Sequence, residues 1–236
     1  YDEKVLKPAY LSSVESVGEL KEMLGSYLDD FTDWLARCSE LDIDPIHATA
    51  FSKVLDKLGD QQKRLRHGVE VLCDPSNPEC FEAFQLANTA MLNQIEATHR
   101  KKGSRFDSND FVWYPFQLAF QLVAIPGIAE DGEESGRDLV DLLWFPTGGG
   151  KTEAYLLLSA FTIILRRKRY GDEGGGTAVI SRYTLRLLTA QQFERTSTLV
   201  CALEKLRRDG QIPGQEPITI GLWIGGSATS SPNDLK

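Results

Sequence analysis

The segment FPTGGGKTEAY, residues 145–155, sets three glycines, a lysine and a threonine between an apolar run, LVDLLWF, and a helix-forming run, EAYLLLSAF. Glycine has no Cβ, so Gly148, Gly149 and Gly150 allow backbone N–H groups to converge on an anion. A helix starting at the same point adds the partial positive charge of its N-terminus. Lys151 is then placed to reach the β- and γ-phosphates of a nucleoside triphosphate, and the Thr152 hydroxyl to ligate Mg²⁺. Lys151 and Thr152 are the candidate catalytic pair. Thr147 before the glycines and Glu153 in the first helical turn complete the residues expected to hold the cofactors, ATP and Mg²⁺. Phe145 occupies the position of the first glycine in the pattern GxxxxGK[ST], so only the shorter form PTGGGKT is met. The competing reading is a structural glycine turn; the agreement of strand, loop, Lys-Thr pair and helix favours the phosphate cradle.

A second candidate lies upstream in WYPFQLAF, residues 113–120. The amide of Gln117 both donates and accepts, which suits it to an adenine edge, and an aromatic neighbour such as Phe111 could stack on the base. The alternative is an exposed glutamine on an amphipathic helix. Between this element and the glycines, GIAEDGEESGRD (127–138) reads as a Gly-rich acidic surface insertion.

These residues need elements to position them. DLLWF is near-continuously apolar, as in a central parallel strand covered on both faces, and KTEAYLLLSAFTIILRRKRY reads as a helix. A strand at TAVIS, an amphipathic helix from about Leu187 or Thr189 to Arg208, and a strand at ITIGLWI follow. Strand alternating with helix implies an α/β fold whose parallel sheet gathers its loops at one edge. Residues 1–105 read instead as helices. Ser16 and Glu19 form a capping-box pattern ahead of an apolar stripe from Leu20 to Leu35. Asp44-Pro45 is expected to open a second helix, Leu65, Val69 and Leu72 mark a third, and DPSNPE restarts the chain into a fourth carrying Phe81, Phe84, Ala87 and Met91. The RRKR run at 166–169 and HRKKGSR at 99–105 read as cations compensating helix C-termini rather than phosphate contacts.

The chain has 236 residues, 42% hydrophobic and 25% charged, with a net charge of -8. That charge argues against a protein that coats nucleic acid generally. It is uneven: residues 1–137 hold 14 Lys and Arg against 24 Asp and Glu, residues 138–236 hold 12 against 10. Only the second part has a balance suited to a polyanion. Cys38, Cys73, Cys80 and Cys201 fit no common zinc spacing and read as reduced cytosolic thiols, and His47, His67 and His99 fall singly, so no metal held by protein side chains is expected. No apolar stretch reaches membrane-spanning length and no signal peptide opens the chain, which points to the cytoplasm.

The form PTGxGKT is the one usual in superfamily 2 helicases, and WYPFQLAF resembles the aromatic-and-glutamine element preceding their phosphate loop. SRYTLRLLTAQQ (181–192) resembles their motif Ia, with Tyr183 where proline is usual. That resemblance implies that Arg182, Tyr183, Thr184 and Arg186 hold a nucleic-acid backbone with little sequence discrimination. Gly225-Gly226 resembles the end of a later strand in the same proteins. Together with FEAFQLANTAMLNQ (81–94), these stretches look like the helicase subunit of DISARM-type anti-phage defence systems. The resemblance implies a RecA-like lobe over 106–236, a DNA-directed ATP-driven motor, and a companion defence subunit as partner. The chain reaches SPNDLK without an Asp-Glu-x-His or Asp-Glu-x-Asp segment. The expectation is therefore the front part of a longer protein, hydrolysing no ATP without the remainder of its chain and a second RecA-like lobe. A nucleotide-operated switch that moves no strand is the alternative; a small-molecule kinase is disfavoured because no acceptor site or lid is evident.

Overall fold

The structure, a computed structural model, describes residues 1–132, 135–144, 148–183 and 186–223, and the backbone alone at 186–189. Seven α-helices occupy these described residues: α1 Pro8–Leu11, α2 Val17–Ser39, α3 Ala48–Leu72, α4 Pro78–Lys101, α5 Pro115–Ala129, α6 Lys151–Tyr170 and α7 Arg186–Arg208.

Local chemistry sets most of the boundaries. The Ser16 hydroxyl accepts the Glu19 N–H at 3.1 Å and caps α2. Pro78 opens α4 after the DPSN turn, and Pro115 opens α5, each where a missing N–H removes no helical bond. Asp44 does not cap α3. Its carboxylate accepts the Ile46 N–H at 3.0 Å in the turn before the helix, and His47 takes the cap position. The second and third helices expected from the sequence are one helix, since the single Gly59 between them costs only about 1 kcal/mol relative to alanine. The α2 stripe is buried at Leu20, Leu24, Tyr27 and Leu28 but emerges into solvent by Trp34, beyond the reach of the core.

α4 packs on α6 and α7, α6 also on α5, and α5 on α3, which in turn packs on α2. One cluster of buried apolar side chains runs through all of them, from Val5 and Leu11 through Phe84 and Met91 to Leu157, Phe161 and Leu203, so it draws on both sides of residue 105. α3 and α5 approach closely at Gly68, where a Cβ would lie 2.0 Å from the Leu122 carbonyl oxygen.

The α/β fold class, with its RecA-like parallel sheet, is overturned: the described residues contain no strand. The apolar runs at 141–144, 177–181 and 218–223 have no regular structure, and several of their side chains face solvent, with Leu142 84% and Trp144 88% exposed. A parallel strand is held by neighbours along its edges and by layers over both faces. An apolar run carries the composition of such a strand but cannot supply those neighbours, and the helices here bury their apolar faces on one another instead.

The RRKR run ties loops to helices. Arg166 donates to the Gly175 carbonyl at 3.0 Å, Arg167 to the Glu216 carbonyl at 2.9 Å, Lys168 pairs with Glu82 at 2.5 Å, and Arg169 donates to the Ala129 carbonyl at 2.6 Å. Its cations therefore bind carbonyls and a carboxylate within the molecule. Of the cysteines, all free, Cys73 and Cys80 are buried, and burial pushes each thiol up to about 11.

Glu204 fastens the end of α7. Its carboxylate accepts from Arg207 at 2.8 Å, Arg208 at 2.9 Å and the Ile218 N–H at 3.0 Å. The Arg207 bonds come first among the causes holding it well below the usual carboxylate range. A carboxyl depressed in the folded state stabilises above its unfolded pKa, about 4.3, and that stability is lost as pH falls through the folded value. Glu204→Gln is therefore expected to lower the melting temperature at pH 7 and to shrink the gap from the parent chain as pH drops from 5 to 2. An unchanged gap across that range, measured by circular dichroism, would contradict the assignment.

Candidate functional site

α6 starts at Lys151 directly out of the glycines. Gly150 is its N-cap, in the left-handed region at φ 79° and ψ 19°, and Gly148 also has a positive φ of 85°. Side chains avoid this region, so the loop needs glycine at both positions. Among the described residues, nothing lies within 4 Å of where a Cβ at Gly148 would stand. Gly149, Lys151 and Thr152 are half-buried. The start of α6 lies at the positive end of its dipole, and of its first-turn amides that of Glu153 already donates to the Gly150 carbonyl at 3.2 Å. Glycine backbone, helix N-terminus, lysine and hydroxyl are together residue types that could hold a phosphate.

Two further side chains close on this turn. Gln117 is 2% exposed; its Nε2 donates to the Gly150 carbonyl at 2.6 Å, and its Oε1 accepts the Tyr114 N–H at 2.8 Å. The amide expected to read adenine is thus engaged at both ends. Trp113 is fully buried, donating from Nε1 to Asn88 at 3.0 Å and from its backbone to Leu6 at 2.7 Å, so this segment is held in the core. Phe111 packs edge-on against Trp113 at 5.0 Å between ring centroids. Tyr114 is extended, as a residue before proline must be, and caps α5. One turn beyond Gln117, Gln121 is fully buried with neither amide atom partnered, which costs about 1–3 kcal/mol per group.

Glu153, expected among the cofactor-binding residues, forms an ion pair with Arg195 of α7. A bare carboxylate in the first turn of α6 would repel a triphosphate; the Arg195 guanidinium neutralises it. Desolvation draws Arg195 down from its ordinary value. Arg195 carries no signal in the sequence: its partner lies 42 residues away, and Arg195 itself belongs to no recognisable pattern.

The expected nucleic-acid contacts are only partly visible. Arg182 is exposed, and Tyr183 is 39% exposed. Partial burial raises the Tyr183 phenol above its usual value, and Tyr155 adds to the effect. The backbone of Arg186 opens α7. Thr147 and Thr184 lie outside the described residues, as do Gly225 and Gly226. Among the described residues no group of three or more His, Cys, Asp and Glu could hold a metal ion, and no helix is long and apolar enough to cross a membrane.

An all-helical frame that presents a glycine-bounded, lysine-bearing helix N-terminus defines a candidate anion-binding protein, and the chain matches no protein-family model. Its sequence is similar to the DISARM protein DrmA of Bacillus paralicheniformis, with 32% identity over 229 residues. The match covers 92% of this chain and 20% of that protein, so the chain spans about a fifth of the length of the curated relative.

Proposed function

We propose that these residues are the ATP-binding portion of a DISARM-related superfamily 2 DNA helicase or translocase acting in anti-phage defence beside a companion subunit. Gly148, Gly149 and Gly150 surround the phosphates, Lys151 neutralises the β- and γ-phosphates, and Thr152 would hold Mg²⁺. Arg182, Tyr183, Thr184 and Arg186 contact the DNA backbone. The observation that carries the reading is the start of α6 at Lys151 from a left-handed Gly150. Similarity to a DISARM protein supports the defence role.

Calorimetry should register Mg·ATP uptake by this chain; none would end the proposal. In the full-length protein, single-stranded or duplex DNA is expected to stimulate ATP turnover several-fold, and Arg182→Ala combined with Arg186→Ala to weaken that response while leaving basal turnover unchanged. ATP uptake with no DNA response would leave the nucleotide-operated switch as the better reading.

A further inference from the structure

Gln117 joins the starts of two helices through a single amide. Its Oε1 accepts the N–H of Tyr114, the N-cap of α5, and its Nε2 donates to the carbonyl of Gly150, the N-cap of α6. α5 is anchored independently: Trp113 is fixed by two hydrogen bonds, and the Tyr27 hydroxyl donates to the Pro115 carbonyl at 2.9 Å. The glycine turn has no side chains with which to fix itself. A Cβ at Gly150 would lie 2.7 Å from Gln117 Nε2, so the amide fills the space a side chain would take.

We infer that Gln117 is a positioning residue, a clamp that holds the Gly150 turn in its left-handed form against the anchored start of α5. The inference rests on the phosphate-site reading above for its functional meaning, whereas the clamp itself is a property of the unliganded chain. A clamp of this kind acts on the loop and not on the base. Loss of Gln117 should therefore weaken every ligand that uses the loop by the same factor, whatever base it carries. An adenine-reading residue would behave differently: its loss would lower ATP affinity and leave a ligand without a base untouched.

The test uses Gln117→Met, which keeps length and volume and removes both bonds. Should it fail to fold by circular dichroism, Gln117→Glu replaces it; Glu keeps an acceptor toward Tyr114 and sets an oxygen against the Gly150 carbonyl. Hydrogen exchange without ligand is read first. Peptides covering 148–154 are expected to exchange about tenfold faster than in the parent chain, with peptides from 198–208 unchanged as the control for a global effect. Calorimetry with Mg²⁺ then compares ATP, GTP and inorganic tripolyphosphate, and an equal loss of about five- to thirtyfold is expected for all three. Unchanged exchange at 148–154 would overturn the clamp. So would a loss confined to ATP, which would assign Gln117 to the base. If the parent chain took up none of the three ligands, the proposed function would fail, and the exchange experiment would still decide the clamp.

Discussion

Lys151→Ala should weaken Mg·ATP binding by about 10- to 100-fold, the loss expected when a charge-assisted contact worth about 1.5–3 kcal/mol is removed from a phosphate. The fold should survive, because alanine is at least as good a helix former as lysine at the start of a 20-residue helix. The circular dichroism spectrum therefore serves as the control and calorimetry as the readout. Lys151→Arg is expected to restore only part of the affinity, since a planar fork does not replace a compact ammonium in a tight glycine turn. Thr152→Val should reduce the benefit of Mg²⁺ while leaving binding in its absence close to that of the parent chain. Equal affinities for the parent chain and Lys151→Ala would remove the phosphate contact from the reading of the site.

Gly68→Ala should destabilise the chain by about 2 kcal/mol, against the direction that helix propensity alone would give. Gly68 lies inside α3, where replacing glycine by alanine is worth up to about 1 kcal/mol of stabilisation. Its Cβ, however, would stand 2.0 Å from the Leu122 carbonyl oxygen and 2.7 Å from the carbonyl carbon. Both are backbone atoms of α5, so the two helices must separate, and overpacking of this kind costs about 1–3 kcal/mol or more. The melting temperature should fall by about 4–8 °C. Gly59 and Gly25 supply the contrast, since each lies in a helix with nothing within 4 Å of a built Cβ. Alanine at either should stabilise by about 0.5–1 kcal/mol. A Gly68→Ala variant that melted above the parent chain would show that α3 and α5 do not approach so closely.

The consequence for the site follows from the same contact. α5 carries Gln117 and packs on both α3 and α6. Moving α5 outward at Leu122 would pull on the Gly150 turn, so Gly68→Ala is expected to weaken Mg·ATP binding as well as folding.

Much of the helical frame is legible in the residues. The amphipathic stripe, the Ser16 cap, the proline at 78 and the glycines before Lys151 act within a few residues of themselves, and α2, α4, α6 and α7 appear close to where such signals put them. The start of α6 at Lys151 belongs to this group, because glycine freedom and helix capping are local. The acidic front and mildly basic rear are likewise properties of composition, as is the absence of a long apolar helix among the described residues.

What lay beyond the sequence depends on partners far along the chain. An apolar run such as 139–144 has a strand's composition, but whether it is one rests on neighbouring strands that no local pattern names. Gln117 has the same amide whether it faces a base or a carbonyl, and only the packing of α5 against α6 turns it to Gly150. Glu153 could line a phosphate site until Arg195 arrives from α7, and the RRKR run could meet a polyanion until carbonyls from distant loops arrive first. Residue type and short-range spacing determined which chemistry each group was capable of. The tertiary structure decided which partner used it, because burial and a hydrogen-bond reach of about 3 Å are settled only when the helices meet.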